Sequence, residues 1–331
     1  MPAGPVVAIR RPGPRAVPGV RMGTFLLRRI VQGVLVVFGA TLLIFLATFS
    51  LGDPFATTGA RVVPTEVQEI NRAKFGVDQP LPRQYLTYLG NIFTFDLGVD
   101  FDQRRPVVDM LAETVPNTIR LALVTILIDI LIGVTAGIIA ALRKYSFWDV
   151  FVTVICTLAI GMPTLVIGIL LAANLSGIGP FPAVPHSFTV EVPWYSEVVL
   201  PACTLAIVDA AFIVRLMRGS MIEVLHSDYI RAARAKGLSE LRVIGKHAVR
   251  NSMLPVVTYT GVSLGVLFGG AIITETIFQY NGVGYLLSRA IVSSNTPVLI
   301  AIVVFSVLAC VVLSTLVDIL YAYLDPRIRL S

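Results

Sequence analysis

The chain has 331 residues, of which 56% are hydrophobic and 14% charged, and its mean hydropathy is +0.82. A soluble domain carries about 25% charged residues, so this composition excludes an ordinary soluble enzyme and indicates a membrane protein. The formal net charge of +6 does not require nucleic-acid binding, because the cytoplasmic segments of membrane proteins carry an excess of Lys and Arg. The three cysteines lie in apolar runs without disulfide or zinc-ligand spacing, as small buried hydrophobic residues do.

Six stretches are long and apolar enough to cross a bilayer, which takes about 20 residues of helix. We expect helices, because a helix satisfies every backbone hydrogen-bonding group internally. The predicted fold class is therefore an all-α integral membrane protein with six transmembrane helices. The stretches are residues 30–51, 121–142, 150–173, 198–217, 254–274 and 298–321.

The positive charges predict the orientation of these spans. With a cytoplasmic N-terminus, 18 Lys and Arg residues fall on the inner side and 8 on the outer side. Cytoplasmic segments carry such an excess, so both termini are predicted to be cytoplasmic. The predicted division is a disordered tail 1–21, a first span 22–51, an outer segment 52–116, a five-span domain 117–323 with an inner loop 218–253, and a tail 324–331.

The outer segment is too long to be structureless, so we expect a small folded cap. Its stretch from Thr65 to Gln68 matches a capping box and predicts a short helix with Val67 and Ile70 on one side. The acidic residues of this segment are scattered, which indicates a solvated surface and predicts no metal site.

The inner loop holds two predicted helices. Ser227 and Asp228 are suitable N-cap residues, residues 229–236 can form two turns, and Gly237 is a natural stop. The small side chains of Ala232 and Ala233 would let another protein approach closely, although packing against the chain's own helices would look similar.

The second predicted helix of the inner loop follows Ser239. One face is predicted to hold Leu241, Ile244 and Ala248. Basic residues recur every four positions on another face, which suits anionic lipid headgroups. These are Arg242, Lys246 and Arg250.

Polar and small residues inside the spans are candidates for transport. Asp129 and Asp209 fall near the bilayer midplane, where a charge is costly, so they must face protein or water. Pathway residues and structural hydrogen bonds both fit this pattern. Pro163 predicts a kink in the third span. Glycines at four-residue spacing on the fifth span allow close helix packing, with gating an equal alternative. They are Gly261, Gly265 and Gly269.

The inner loop resembles the cytoplasmic EAA loop of permease subunits of bacterial ABC importers, most closely the dipeptide/oligopeptide permease family. The resemblance covers residues 22–331. The matching residues include 228–237 (DYIRAARAKG), His247, Arg250-Asn251, Leu254-Pro255, 269–278, Gly282-Val283-Gly284, 318–321 and 325–329, and in the N-terminal half Arg28-Arg29, 52–54 and 116–118.

The resemblance implies a type I ABC importer permease fold with a cytoplasmic coupling helix. It implies a bacterial inner-membrane complex of two permeases and two ATPases, fed by an extracytoplasmic solute-binding protein, that imports peptides. The chain itself would be no enzyme and bind no cofactor, and ATP and Mg would bind to the ATPases. The residues implied in coupling to the ATPase are Asp228, Tyr229, Ala232, Ala233, Lys236 and Gly237.

Three departures and several alternatives accompany the resemblance. Arg231 replaces the acidic residue of the general motif, as is usual in the peptide branch, Asn281 replaces a usual Pro, and Asn295-Thr296-Pro297 replaces a common Asp-Tyr-Pro. Similar permeases carry nickel chelates or glutathione-like solutes. A proton-coupled secondary transporter using Asp129 and Asp209 is the alternative of another class, although no inverted repeat is visible. The chain lacks the P-loop and hydrolase motifs.

Overall fold

A computed structural model describes residues 22–49, 53–55, 64–178 and 193–324. The predicted tail 1–21 lies outside them, as does the predicted tail 324–331 apart from Leu324, the last residue of a helix. The described residues are helical apart from turns and one isolated bridge between Val99 and Pro106. The prediction of an all-α protein is confirmed. The helices are α1 Met22–Phe49, α2 Thr65–Phe75, α3 Leu81–Phe93, α4 Val107–Leu142, α5 Phe147–Gly161, α6 Thr164–Leu175, α7 Trp194–Leu225, α8 Asp228–Ala235, α9 Glu240–Arg242, a π-helix Val243–Val249, α10 Arg250–Ile277, α11 Val283–Val292 and α12 Thr296–Leu324.

Four of these helices, α1, α4, α7 and α12, are long and apolar enough to cross a membrane, and the bent pair α5 and α6 makes a fifth if it is one span. The longest, α4, has 36 residues. At about 1.5 Å per residue it measures about 54 Å, well above the roughly 30 Å hydrocarbon core of a bilayer. It therefore extends beyond the bilayer. α10 has 28 residues.

The third predicted span, 150–173, is not one continuous helix. α5 and α6 are bent by 102° at a break that contains Met162 and Pro163. Proline has no backbone N–H and clashes with the preceding turn. It also drives the residue before it into extended conformation, and Met162 has φ −91° and ψ 131°. The proline from which a kink is predicted therefore separates two short helices.

α4 and α7 form the central packed pair. A Cβ added to Gly133 would lie 2.5 Å from Cγ2 of Ile213, and one added to Gly137 would lie 2.7 Å from Cβ of Met217. Only glycine fits these two positions, four residues apart on α4. This is the small-xxx-small arrangement that lets helices approach closely in lipid.

The segment predicted as an outer cap, residues 53–55 and 64–106, packs as a folded unit on the C-terminal end of α1 and the N-terminal end of α12. The aromatic rings Phe45 and Phe49 of α1 stack together, with centroids 4.9 Å apart. They lie in one buried cluster with rings of the cap and aliphatic side chains of α12. Its buried members are Phe45, Phe49, Phe55, Val67, Phe75, Tyr85, Tyr88, Ile92, Phe101, Ile300 and Val304.

The start of α2 differs from the predicted capping box. Pro64 is the N-cap residue and makes no side-chain cap, so Thr65 is already inside the helix. The helix buries Val67, Asn71 and Phe75, and Ile70 is exposed. The buried Asn71 side chain connects α2 to the segment at Val99. Its Nδ2 donates to the Val99 carbonyl at 3.0 Å, and its Oδ1 accepts from the Val99 N–H at 2.9 Å.

Candidate coupling and translocation sites

The helix predicted in the inner loop is present as α8. Ser227 precedes it in extended conformation, with φ −72° and ψ 153°, which is the geometry of an N-cap residue. Gly237 follows its last turn with φ +77°. This left-handed conformation costs glycine little and strains other residues, so it ends the helix where the sequence predicts.

The two faces of α8 separate the residues implied in coupling. Ile230 is fully buried and Ala233 is 8% exposed, so both pack against the chain itself. The opposite face is exposed, and Ala232 lies at its centre, flanked by charged and polar side chains. The implied coupling residues on this exposed face are Asp228, Tyr229, Ala232, Lys236 and Gly237.

Beneath α8 the chain forms a π-helix rather than the predicted α-helix. Its i→i+5 hydrogen bonding changes which residues share a face. Val243 and Ala248, five residues apart, are fully buried against Ile230, Met217 and Met221. Leu241, predicted to share a face with Ile244 and Ala248, is 87% exposed, whereas Ala248 is fully buried. That prediction was wrong because it assumed an α-helical period.

The charges around α8 form two groups. Arg231 pairs with Asp228 and Arg234 with Glu240 on the loop surface. The three residues of the predicted basic stripe are exposed and run from α9 to the start of α10. They are Arg242, Lys246 and Arg250.

The two intramembrane aspartates lie near each other between α4, α7 and α10. Asp209 accepts a hydrogen bond from the Tyr259 hydroxyl at 3.0 Å. Asp129 is 1% exposed, its charge interacts with that of Asp209, and its Oδ1 has no hydrogen-bond partner among the described residues. Arg215 donates instead to Thr157 at 2.9 Å. Asp209 thus has a structural bond, and a pathway role for either aspartate stays a prediction.

The predicted glycine face of α10 makes no close helix contact at its centre within this chain. Gly261 is buried, but a Cβ at Gly265 would meet nothing within 4 Å. The surroundings of Gly269 lie outside the described side chains. The close helix contact instead involves Gly133 and Gly137 of α4. The same four-residue spacing could have identified them from the sequence.

A buried carboxylate lies in the last turn of α10, within the stretch 269–278 that carries the family resemblance, and no role is predicted for it from the sequence. Glu275 is fully buried. Its Oε1 accepts from the Thr118 hydroxyl at 2.8 Å, and its Oε2 accepts from the backbone N–H groups of Gly284 at 2.7 Å and Tyr285 at 3.1 Å. The sequence signal is an acidic residue at the end of an apolar run, followed by a Gly-x-Gly turn.

An ion pair that the sequence does not predict joins α5 to α7. Nε and Nη2 of Arg218 donate to the two oxygens of Asp149 at 2.6 and 2.8 Å, and the Tyr145 N–H donates to the same carboxylate at 2.9 Å. The Asp149 side chain is only 4% exposed. Among the described residues, no group of three or more His, Cys, Asp or Glu side chains is placed to hold a metal ion.

Two models of one transport family match the chain. The model described as a binding-protein-dependent transport system inner membrane component matches residues 133–330, and the model of its N-terminal membrane component matches residues 22–122. The chain belongs to this family. It is a permease subunit rather than an enzyme, and a multi-pass inner-membrane protein.

Relatives of the permease match along nearly its whole length. A Brucella abortus (strain 2308) protein named as a peptide transport system permease is 36% identical, and the match covers 93% of this chain and 99% of that protein. The glutathione transport system permease protein GsiC of Escherichia coli (strain K12) is 34% identical, with the same coverage of both chains. The predicted resemblance to ABC importer permeases is confirmed.

The structure gives a physical reason for one departure from the family pattern. Asn295 and Asp100 are each 2% exposed, and Nδ2 of Asn295 donates to Oδ1 of Asp100. An aspartate at position 295 would place two carboxylates in contact where no water can screen them. The amide of Asn295 instead supplies the donor that Asp100 requires.

Proposed function

We propose that this permease is one of two membrane subunits of an ATP-driven ABC importer for peptides. It spans the membrane six times, with α10 as one span and the broken pair α5 and α6 as another. Both termini and the loop 218–253 are cytoplasmic. The outer cap and α11 face the solute-binding protein.

The observation that supports this proposal most directly is the exposed face of α8. Ile230 and Ala233 fix α8 against the π-helix and α7, and its other face lies free around Ala232. The π-helix continues directly into α10. A force applied to α8 by an ATPase therefore reaches α10 through buried contacts and a continuous backbone, which is the connection a coupling helix needs.

The nucleotide chemistry belongs to the partners. Because the chain lacks a P-loop, two ATPase subunits bind ATP and Mg, and this chain binds neither. A second, homologous permease completes the translocation pathway.

The cargo class follows from the relatives. The Brucella protein is named for peptide transport and GsiC for glutathione, which is itself a tripeptide. Both names support a small peptide-like cargo. Glutathione is the second candidate because a 34% identical relative carries its name.

The test is to purify the complex with Ala232→Glu in the permease. A charged side chain on the docking face should weaken ATPase association about tenfold or more, equivalent to about 1.4 kcal/mol, with loss of peptide uptake. Leu86→Glu, an exposed position in the outer cap (67% exposed), is the matched control and should leave association unchanged. Normal ATPase association and uptake in the Ala232→Glu complex would contradict the proposal.

A further inference from the structure

The first turn of α11 is capped by side chains from two other helices. The N-cap position is Gly282, which has no side chain to satisfy the free N–H groups of the turn. Glu275 of α10 accepts from the N–H groups of Gly284 and Tyr285, and Thr118 of α4 accepts from the N–H of Val283 at 2.9 Å. Three helices therefore meet at one buried carboxylate.

The N-terminus of α11 favours an acceptor oxygen at this position, because a helix N-terminus carries partial positive charge. A buried carboxylate with several donors is stable, whereas the same N–H groups without it would each lack a partner at about 1–3 kcal/mol. α11 is therefore fixed to α10 through Glu275.

Both glycines of the turn are required by the close approach of α10. A Cβ at Gly282 would lie 2.3 Å from Oε2 of Glu275, and a Cβ at Gly284 would lie 2.4 Å from the Ile272 Cα. A side chain at Gly282 would therefore displace the Glu275 carboxylate, whereas one at Gly284 would force α10 and α11 apart.

A second set of bonds closes the junction on its other side. Asn117 of α4 donates from Nδ2 to the Asn281 carbonyl at 2.8 Å, and the Tyr280 hydroxyl donates to the Asn117 carbonyl at 3.0 Å. Burial raises the pKa of the Tyr280 hydroxyl to about 12, so it remains a donor at neutral pH. α4 is thus bonded to the loop between α10 and α11 at two adjacent residues.

The junction lies at the opposite end of α10 from the coupling loop. α10 begins at Arg250, directly after the π-helix that holds α8, and Glu275 is in its last turn. We propose that Glu275 is a positioning residue for transport: its carboxylate makes the outer ends of α4, α10 and α11 move as one body when α8 is displaced. This inference rests on the proposed function.

The experiment measures peptide transported per ATP hydrolysed by the full complex in proteoliposomes with its binding protein. Glu275→Ala removes all three accepted bonds, and Gly284→Ala forces α10 and α11 apart. Both variants should lower the transport-to-hydrolysis ratio about tenfold, within the usual 5- to 150-fold range of coupling between sites. ATP hydrolysis itself should continue. The double variant should be no worse than either single variant, because both break one junction.

Conservative and control variants sharpen the result. Glu275→Gln keeps one oxygen for Gly284 and Tyr285 but turns an amide toward Thr118, so its ratio should lie between wild type and Glu275→Ala. Thr276→Val alters the next residue, whose hydroxyl donates within its own helix to the Ile272 carbonyl at 2.7 Å and has no other partner among the described residues. This control should match wild type.

A wild-type ratio in assembled Glu275→Ala or Gly284→Ala complexes would overturn the inference. So would a loss of transport and hydrolysis in equal proportion, or failure of Glu275→Ala, Glu275→Gln and Gly284→Ala alike to assemble, because the role would then be structural only. Failure of the proposed function would look different, since wild-type permease would then assemble without any ATPase.

Discussion

A single buried carboxylate holds α5 to α7. The Asp149 carboxylate is almost fully buried and accepts both bonds of Arg218. Removing one partner of a buried pair leaves an uncompensated charge and costs about 3–5 kcal/mol, whereas an exposed pair contributes about 0–1 kcal/mol. Ion pairs of similar geometry therefore contribute differently to the stability of the chain, depending on how far they are buried.

Arg218→Met is predicted to destabilise the permease by about 3 kcal/mol or more. Thermal unfolding of the purified chain in detergent measures this. Adding Asp149→Asn should recover most of the loss, because the buried charge is then gone. The control is Arg105→Gln, which breaks an exposed pair with Glu113 (41% and 56% exposed) and should shift the unfolding temperature little. Equal effects of Arg218→Met and Arg105→Gln would refute the argument.

Replacing glycine by alanine should change the free energy of unfolding in opposite directions at Gly39 and Gly133. Alanine favours a helix over glycine by about 1 kcal/mol. At Gly39 of α1 a Cβ meets nothing within 4 Å, so Gly39→Ala should be neutral or stabilising. At Gly133 it would lie 2.5 Å from Ile213, so Gly133→Ala should destabilise by about 1–3 kcal/mol. Unfolding of the two variants side by side tests this, and a stable Gly133→Ala would show that α4 and α7 separate easily.

At the scale of single elements, local signals predicted the bounds of α8 and the break after α5, whereas the capping box predicted at the start of α2 is absent. Ser227 and Gly237 delimit α8, and Pro163 separates α5 from α6. Predictions from periodicity failed where the helix type changed. The α-helical period places Leu241 on one face with Ala248, but the π-helix places Val243 beside Ala248 instead.

The outer cap should lose stability in alkaline solution through Tyr88. Burial raises the pKa of its hydroxyl, so the folded cap keeps the proton above about pH 10, where an unfolded chain loses it. The stability that this proton confers is present below about pH 10 and falls as the pH rises further. Limited proteolysis of the cap as a function of pH follows this loss.

Tyr88→Phe is predicted to move the alkaline loss of the cap to higher pH. It should cost no hydrogen bond, since the Tyr88 hydroxyl has no partner among the described residues. Tyr85→Phe is the matched control: that hydroxyl lies 3.1 Å from Oγ1 of Thr41 and donates to the Phe38 carbonyl at 3.3 Å. It should cost about 1 kcal/mol at neutral pH. If Tyr88→Phe left the alkaline midpoint unchanged, Tyr88 would not be the titrating group.

At the scale of the whole molecule, composition and charge predict a membrane protein. Contacts between residues far apart in the chain cannot be predicted from the sequence. Thr118 and Glu275 are 157 positions apart, and Asp149 and Arg218 are 69 apart. No local pattern links such pairs, because the packing of separate helices brings them together. The resemblance to a permease family predicts a coupling helix where α8 lies, while the buried and exposed faces of α8 follow only from its packing on the π-helix.

The central claim is that the exposed face of α8 meets an ATPase on the cytoplasmic side. The direct measurement is cysteine cross-linking in membranes of the assembled importer, with Ala232→Cys in the permease and Val292→Cys, 86% exposed at the end of α11, as the outer reference. The account predicts that residue 232 cross-links to the ATPase and resists membrane-impermeant reagents added from outside, whereas residue 292 reacts with them. Outside labelling of residue 232, or its failure to cross-link to the ATPase, would contradict the account.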